Sequence, residues 1–184
     1  PTLFQSFRVE LVHALLPIIT APDPRLRVKS EPVGTVDDDL RRLMDDMLET
    51  MYDAPGVGLS AIQVGVPKRV MVVDCASDDA APEPIHLVNP VIREASPDLR
   101  AYEEGCLSLP EQYAEVERHD RITVDYLDRD GRAQTLEADG LLSTCIQHEM
   151  DHFDGVLFVD HISALKRSMI MKRLKKAKKL KATG

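Results

Sequence analysis

Apolar side chains recur along positions 36–51 as Leu40, Leu43, Met44, Met47, Leu48 and Met51. That spacing of three and four residues predicts an amphipathic helix starting near Val36. Asp37, Asp38 and Asp39 stand at its start, where carboxylates complement the positive end of the helix dipole. Pro55 and Gly56 end it. The period then changes. Arg69 to Asp74 reads RVMVVD and predicts a buried strand. Ser77 to Pro84 is a polar loop rich in Ala and Pro, and Ile85 to Glu94 is extended around Asn89-Pro90. Arg121 to Asp128 alternates as a strand, and Asp130-Gly131 predicts a hairpin turn into Ala133 to Ala138. A second helix is predicted from about Asp139 to Phe153, stopped by Asp154-Gly155, and a third from about Ser163 to the basic end. Helix, several strands, then helix predicts an α+β fold.

With 184 residues, the chain can bury a core without disulfide staples. Its 43% hydrophobic and 29% charged residues exclude a disordered protein. No Trp, four Phe and four Tyr make the expected core mainly aliphatic. No apolar run approaches the roughly 20 residues of a membrane span. The stretch Leu11 to Ala21 is apolar, but Glu10 and His13 break its pattern, so residues 1–15 read as an extension or leader, not a secretory signal. Cys75, Cys106 and Cys145 are odd in number and widely spaced, which argues against a disulfide framework and fits a cytoplasmic, reducing setting.

Charge adds one thing that periodicity does not. The net charge is −8, yet Lys166 to Lys181 holds nine Lys or Arg and no acid. Without those nine, 14 basic residues face 31 acidic ones, leaving a body of −17. An acidic body with a basic tail speaks of partners, not of fold.

The sharpest chemical signal is His148-Glu149-Met150-Asp151-His152. On a helix, side chains four apart share a face, so both imidazoles can grip one metal ion. The Glu between them can take a proton from water on that metal. Two surface histidines would give the same string. A catalytic metal commonly has three protein ligands. The longer pattern H-E-x-x-H-x-x-G-x-x-H would supply the third, and Gly155 fits it, but Phe158 stands where the last His would be. A third ligand must therefore come from His161, Cys106, Cys145 or an acid. Glu104-Gly105-Cys106-Leu107-Ser108-Leu109-Pro110 puts a thiol beside a permissive glycine. A thiolate suits a borderline-soft ion, although a lone Cys is also a common small core residue. Gly56-Val57-Gly58-Leu59-Ser60-Ala61-Ile62-Gln63 follows the first helix directly. Its paired glycines allow close backbone approach or simply a tight turn. It lacks the third glycine of a dinucleotide fingerprint.

In this order, GVGLSAIQ, EGCLSLP and HEMDH together resemble the peptide deformylase family, with similarity from about Leu16 to about Lys181. The resemblance implies antiparallel or mixed sheets packed around a central helix that carries HEMDH, with an N-terminal and a C-terminal helix. It divides the chain into an extension (1–15), a catalytic domain (16–163) and a basic C-terminal helix (164–184). It implies that Cys106, His148 and His152 hold one divalent metal, with water as fourth ligand: Fe(II) in the cell, with Zn, Ni or Co able to replace it. The implied reaction removes the formyl group from the formyl-methionine of nascent polypeptides. Glu149 would carry the proton, and the Gln63 amide and the Leu107 N–H would hold the developing oxyanion. Gly58 and Gly105 would line the substrate backbone, with Val57, Leu141, Thr144 and Cys145 around its Met side chain. Ser60 replaces the family's usual Ala and, being small, is expected to matter little. Tyr113 and Thr144 stand where relatives often carry a basic and an aliphatic residue, which bears on peptide preference. The basic helix resembles those by which bacterial deformylases dock on ribosomal RNA; a merely solvated helix or a membrane-surface helix would carry the same charge. Three other readings remain open from the residues alone: a zincin-type endopeptidase, an RNA-binding module with a structural ion, and a hydrolase using Cys106 as nucleophile.

Overall fold

The computed structural model describes residues 13–184, so most of the expected extension over 1–15 lies outside the described residues. Helix α1 spans Asp38–Asp53. It starts two residues later than the periodicity alone suggests because Asp37 is its cap, the carboxylate accepting from the Leu40 N–H at 2.8 Å. Its apolar stripe is buried: Met44, Met47 and Met51 are fully enclosed and Leu40 nearly so. Full burial of such a side chain is worth about 1.5–3 kcal/mol.

Seven strands follow among the described residues: β1 Gly58–Ser60, β2 Val70–Val73, β3 Ile85–Ala95, β4 Leu99–Cys106, β5 Leu109–His119, β6 Arg121–Leu127 and β7 Ala133–Asp139. They form a five-stranded sheet in the order β1-β2-β3-β6-β7 and a separate two-stranded sheet, β4-β5. Every strand pairing is antiparallel. The β6–β7 hairpin turns at Asp130-Gly131 as the dipeptide predicts, with Leu127 opposite Ala133. Strand β3 is irregular at Asn89-Pro90, where the register shifts between Val88 and Val91. Proline has no N–H for the ladder, and the Asn89 side chain instead pairs with both backbone groups of Val33, at 2.8 Å each.

The β4–β5 hairpin is absent from the sequence reading. Both strands are largely exposed, with Glu104, Leu109, Val116 and Arg118 as their buried positions, so no apolar alternation marks them. Helix α2, Gly140–Phe153, touches strands of both sheets and buries nine of its residues. It is the central helix, and it carries His148–His152. Helix α3, Ala164–Ala182, is capped by Ser163 and buries only Ile170 and Leu174. These two join Leu26, Leu109, Val116 and Phe158 in one apolar cluster.

Candidate functional site

Three elements meet at one cleft of about 700 Å³. Helix α2 forms one wall, β1 runs over it, and the end of β4 closes the other side. Cys106, at the last position of β4, is brought to His148 and His152, and one donor atom from each of the three lies within 4.8 Å of the others. The Cys106 sulfur is 3.4 Å from His152 Nε2. Bonds of about 2.0–2.3 Å to a tetrahedral ion separate its donors by roughly 3.3–3.8 Å, and the Cys106–His152 separation falls in that range. One sulfur with two imidazoles also has the chemistry for a transition metal. The other ligand candidates are engaged elsewhere. His161 Nε2 is 2.8 Å from Asp151, and the Cys145 sulfur lies 3.6 Å from the Val57 carbonyl. Phe158, where a longer motif would want a third imidazole, is buried and stacks on His148 with ring centroids 6.3 Å apart.

A polar chain holds the His148 imidazole. His148 Nδ1 lies 2.8 Å from Glu104 Oε1. A carboxylate only accepts, so this nitrogen donates and leaves Nε2 for the ion. Arg118 grips Glu104 with two bonds of 2.7 and 3.0 Å and reaches Asp151 at 2.9 Å. Burial disfavours the Glu104 anion, but His148 and Arg118 outweigh that and hold its carboxyl below the ordinary range. Burial likewise disfavours His148 imidazolium, yet the Cys106 sulfur and Glu104 prevail and raise it well above its usual value. A cation seated there would meet the same negative surroundings that favour the proton. His152 is pushed the other way, by burial and by its neighbour His148, and so stays a neutral donor.

Glu149 is 4% exposed and lines the same cleft. Burial lifts its carboxyl above the ordinary range, against the pull of His148 and the Ser60 hydroxyl. Gly58 passes directly over it: a Cβ there would come within 2.7 Å of Glu149 Oε1 and 2.9 Å of the Cys145 sulfur. Val57, Gly58, Gly105, Leu107, Leu141, Thr144 and Cys145 all line the cleft, as does Tyr113, whose ring covers the face of Gly105. Cys145 is buried against Cys75, and that sulfur contact, with burial, keeps its thiol protonated. Gln63 stands behind the cleft surface, 1% exposed, its Nε2 at 3.5 Å from the Cys106 sulfur and 3.0 Å from Ser108 Oγ.

Ser60 departs from its expected inertness. Its hydroxyl is 2.8 Å from the Glu149 carbonyl and 2.9 Å from Glu149 Oε2. The partners Glu104, Arg118, Asp151 and Ser108 were also missed as site residues. Glu104 sits inside a motif, and the need of a metal-bound His for an acidic partner could have singled it out; Asp151 also sits inside a motif but answers Arg118 and His161 instead. Ser108 lies within a motif too, and only Arg118 stands outside all three.

The chain matches the family model described as polypeptide deformylase over residues 15–168. It is 57% identical over 163 residues to a peptide deformylase of Rhizobium meliloti, covering 89% of this chain and 94% of that one. A crystal structure of peptide deformylase from Ehrlichia chaffeensis superposes with a TM-score of 0.88 at 38% identity, over 92% of this chain and 99% of that one. The same enzyme in complex with actinonin gives 0.86 at 39% identity, over 89% and 98% of the two chains.

Proposed function

The chain belongs to the polypeptide deformylase family, and from that premise we propose that it hydrolyses the formyl group from the N-terminal formyl-methionine of nascent polypeptides, releasing formate. The observation that carries the reading is the convergence of Cys106, His148 and His152 in the cleft that Glu149 lines. These three would hold one divalent ion, iron(II) in the cell, with zinc, nickel or cobalt able to fill the same donors. Bound there, the ion would supply a water acidic enough to act near neutral pH.

Glu149 would take a proton from the attacking water and pass it to the leaving amine. Burial raises its carboxyl above the ordinary carboxylate range, which makes it a stronger base than an exposed Glu. The Gln63 amide and the Leu107 backbone N–H act as donors to the oxygen of the formyl group as charge gathers on it. Loss of one such donor typically lowers turnover by roughly 10²–10³. Strand β1 lies at the edge of its sheet, so the peptide can add alongside Gly58, with Gly105 across the cleft. Val57, Leu141, Thr144 and Cys145 surround the methionine side chain. The exposed cations of α3 dock the enzyme on ribosomal RNA in the cytoplasm, near emerging chains. No helix among the described residues is long and apolar enough to cross a membrane.

The test is formate release from formyl-Met-Ala-Ser with metal analysis of the same sample. Activity should vanish with a chelator and return with Fe(II), Ni or Co. Activity that survives full metal removal would instead point to Cys106 as a nucleophile and end this reading. Glu149→Gln should keep its metal and lose turnover by about 10²–10⁴.

A further inference from the structure

We propose that Ser60 is a positioning residue that selects which oxygen of Glu149 handles the proton. The inference rests on the reading of Glu149 as proton carrier given above. Ser60 is fully buried on β1. Its single hydroxyl proton has two acceptors in reach, the Glu149 carbonyl at 2.8 Å and Oε2 at 2.9 Å. The carbonyl lies inside α2, where the helix ladder already serves it. The carboxylate has no other hydrogen-bond donor among the described residues, so the hydroxyl turns to Oε2, where the bond is charge-assisted.

The consequence is an asymmetric carboxylate. Oε2 is tied to β1. Oε1 receives no hydrogen bond, lies 3.9 Å from His148 Nε2, the nitrogen left for the ion, and sits in the space that Gly58 leaves by lacking a Cβ. Oε1 is therefore the oxygen that meets the water proton. With Oε2 unpinned, the carboxylate turns about its last torsion, and only part of its population points a free oxygen at the reacting water.

Ser60 also acts through its backbone. Its N–H donates to Gln63 Oε1 at 2.9 Å, which leaves the Gln63 Nε2 facing the Cys106 sulfur. Replacing the side chain separates the two roles: Ser60→Ala loses the grip on Glu149 and keeps the grip on Gln63.

The experiment compares wild type, Ser60→Ala, Glu149→Gln and the double variant, all metal-loaded, by formate release from formyl-Met-Ala-Ser. Ser60→Ala should lower kcat about tenfold, the worth of one well-placed hydrogen bond to a charged group. KM and metal per chain should not move. In the Glu149→Gln background the same change should lower the residual rate by less than twofold, because its target is gone. A kcat within twofold of wild type for Ser60→Ala, with Glu149→Gln inactive, overturns the Ser60 role and leaves Glu149 as the base. An equal loss in both backgrounds, or a loss of metal, makes Ser60 merely structural and overturns it too. A near-full rate for Glu149→Gln sinks both readings.

Discussion

Helices α2 and α3 are both rich in ionisable groups and use them in opposite ways. In α2, His148, Glu149, Asp151 and His152 each face a named partner: Glu104, Ser60, Arg118 and the Cys106 sulfur. All but Asp151 are buried. In α3, nine cations lie between Lys166 and Lys181, and the two contacts they make within the fold are long: Arg167 to Asp160 at 3.7 Å and Lys178 to the Thr20 carbonyl at 3.4 Å, among the described residues. A buried charge must be answered individually, because the desolvation penalty otherwise exceeds any gain. An exposed charge needs no partner in the fold and stays available to one outside it. The first arrangement can hold an ion and move a proton. The second can only attract.

The comparison breaks hardest at the ion's own donors. His148→Ala removes one of the three proposed donors and leaves Glu104 and Arg118 facing a hole. Metal per chain after dialysis should collapse, and formate release should fall by well over 10²-fold, more than loss of an outer partner achieves. Full occupancy in that variant would show that His148 is not a ligand.

Next in size is Glu104→Gln. It removes the charge and leaves one acceptor oxygen where Arg118 and His148 now share two, so metal affinity should weaken by roughly 10–100-fold. Breaking a buried pair from one side should also destabilise the fold by about 3 kcal/mol. The pH dependence has a definite sign. Because Glu104 is held below its ordinary value of 4.5 in the fold, the stability it adds is complete above about pH 4.5 and is lost as pH falls through the lower folded value. Denaturant melts between about pH 5 and pH 3 should therefore show wild type losing stability faster than Glu104→Gln. Parallel curves would remove Glu104 from the acid response.

What was legible in the chain follows the same division. The stripe from Leu40 to Met51 announced α1 because its burial is apolar and periodic. His148 and His152 stood out as candidates because few residue types bind a transition metal, whereas Cys106 was one of several possible partners until the resemblance to the deformylase motifs singled it out. The β4–β5 hairpin stayed silent: it buries Glu104 and Arg118 among exposed neighbours, and a buried ion pair looks like solvent-facing polarity in a sequence. Arg118 lies 14 residues from Glu104 and 33 from Asp151, so only the fold shows that they answer one another. Ser60 looked inert by size, and its meaning comes from Glu149, 89 residues away.

On α3 the comparison is sharpened by charge alone. Lys172, Lys175 and Lys179 are exposed and recur at helical spacing. Reversing all three to Glu should abolish co-sedimentation with ribosomes at low salt and leave formate release unchanged. Wild-type binding should itself weaken steeply with salt as phosphate contacts release counterions. Equal sedimentation of the reversed variant would show that the helix does not dock through its charge.

The smallest effect is expected where α3 meets the body. Deleting everything after Ser163 would strip Ile170 and Leu174 from the cluster that holds Leu26, Leu109 and Val116, so a truncated chain would confuse lost charge with an opened core. Ile170→Val trims one methylene from a residue 5% exposed and leaves every cation in place. It should cost about 1 kcal/mol in a denaturant melt, with sedimentation and turnover at wild-type levels. A change in ribosome binding without a change in stability would mean that α3 reads its partner through its apolar side, and the division between an answered helix and an attracting one would have to be redrawn.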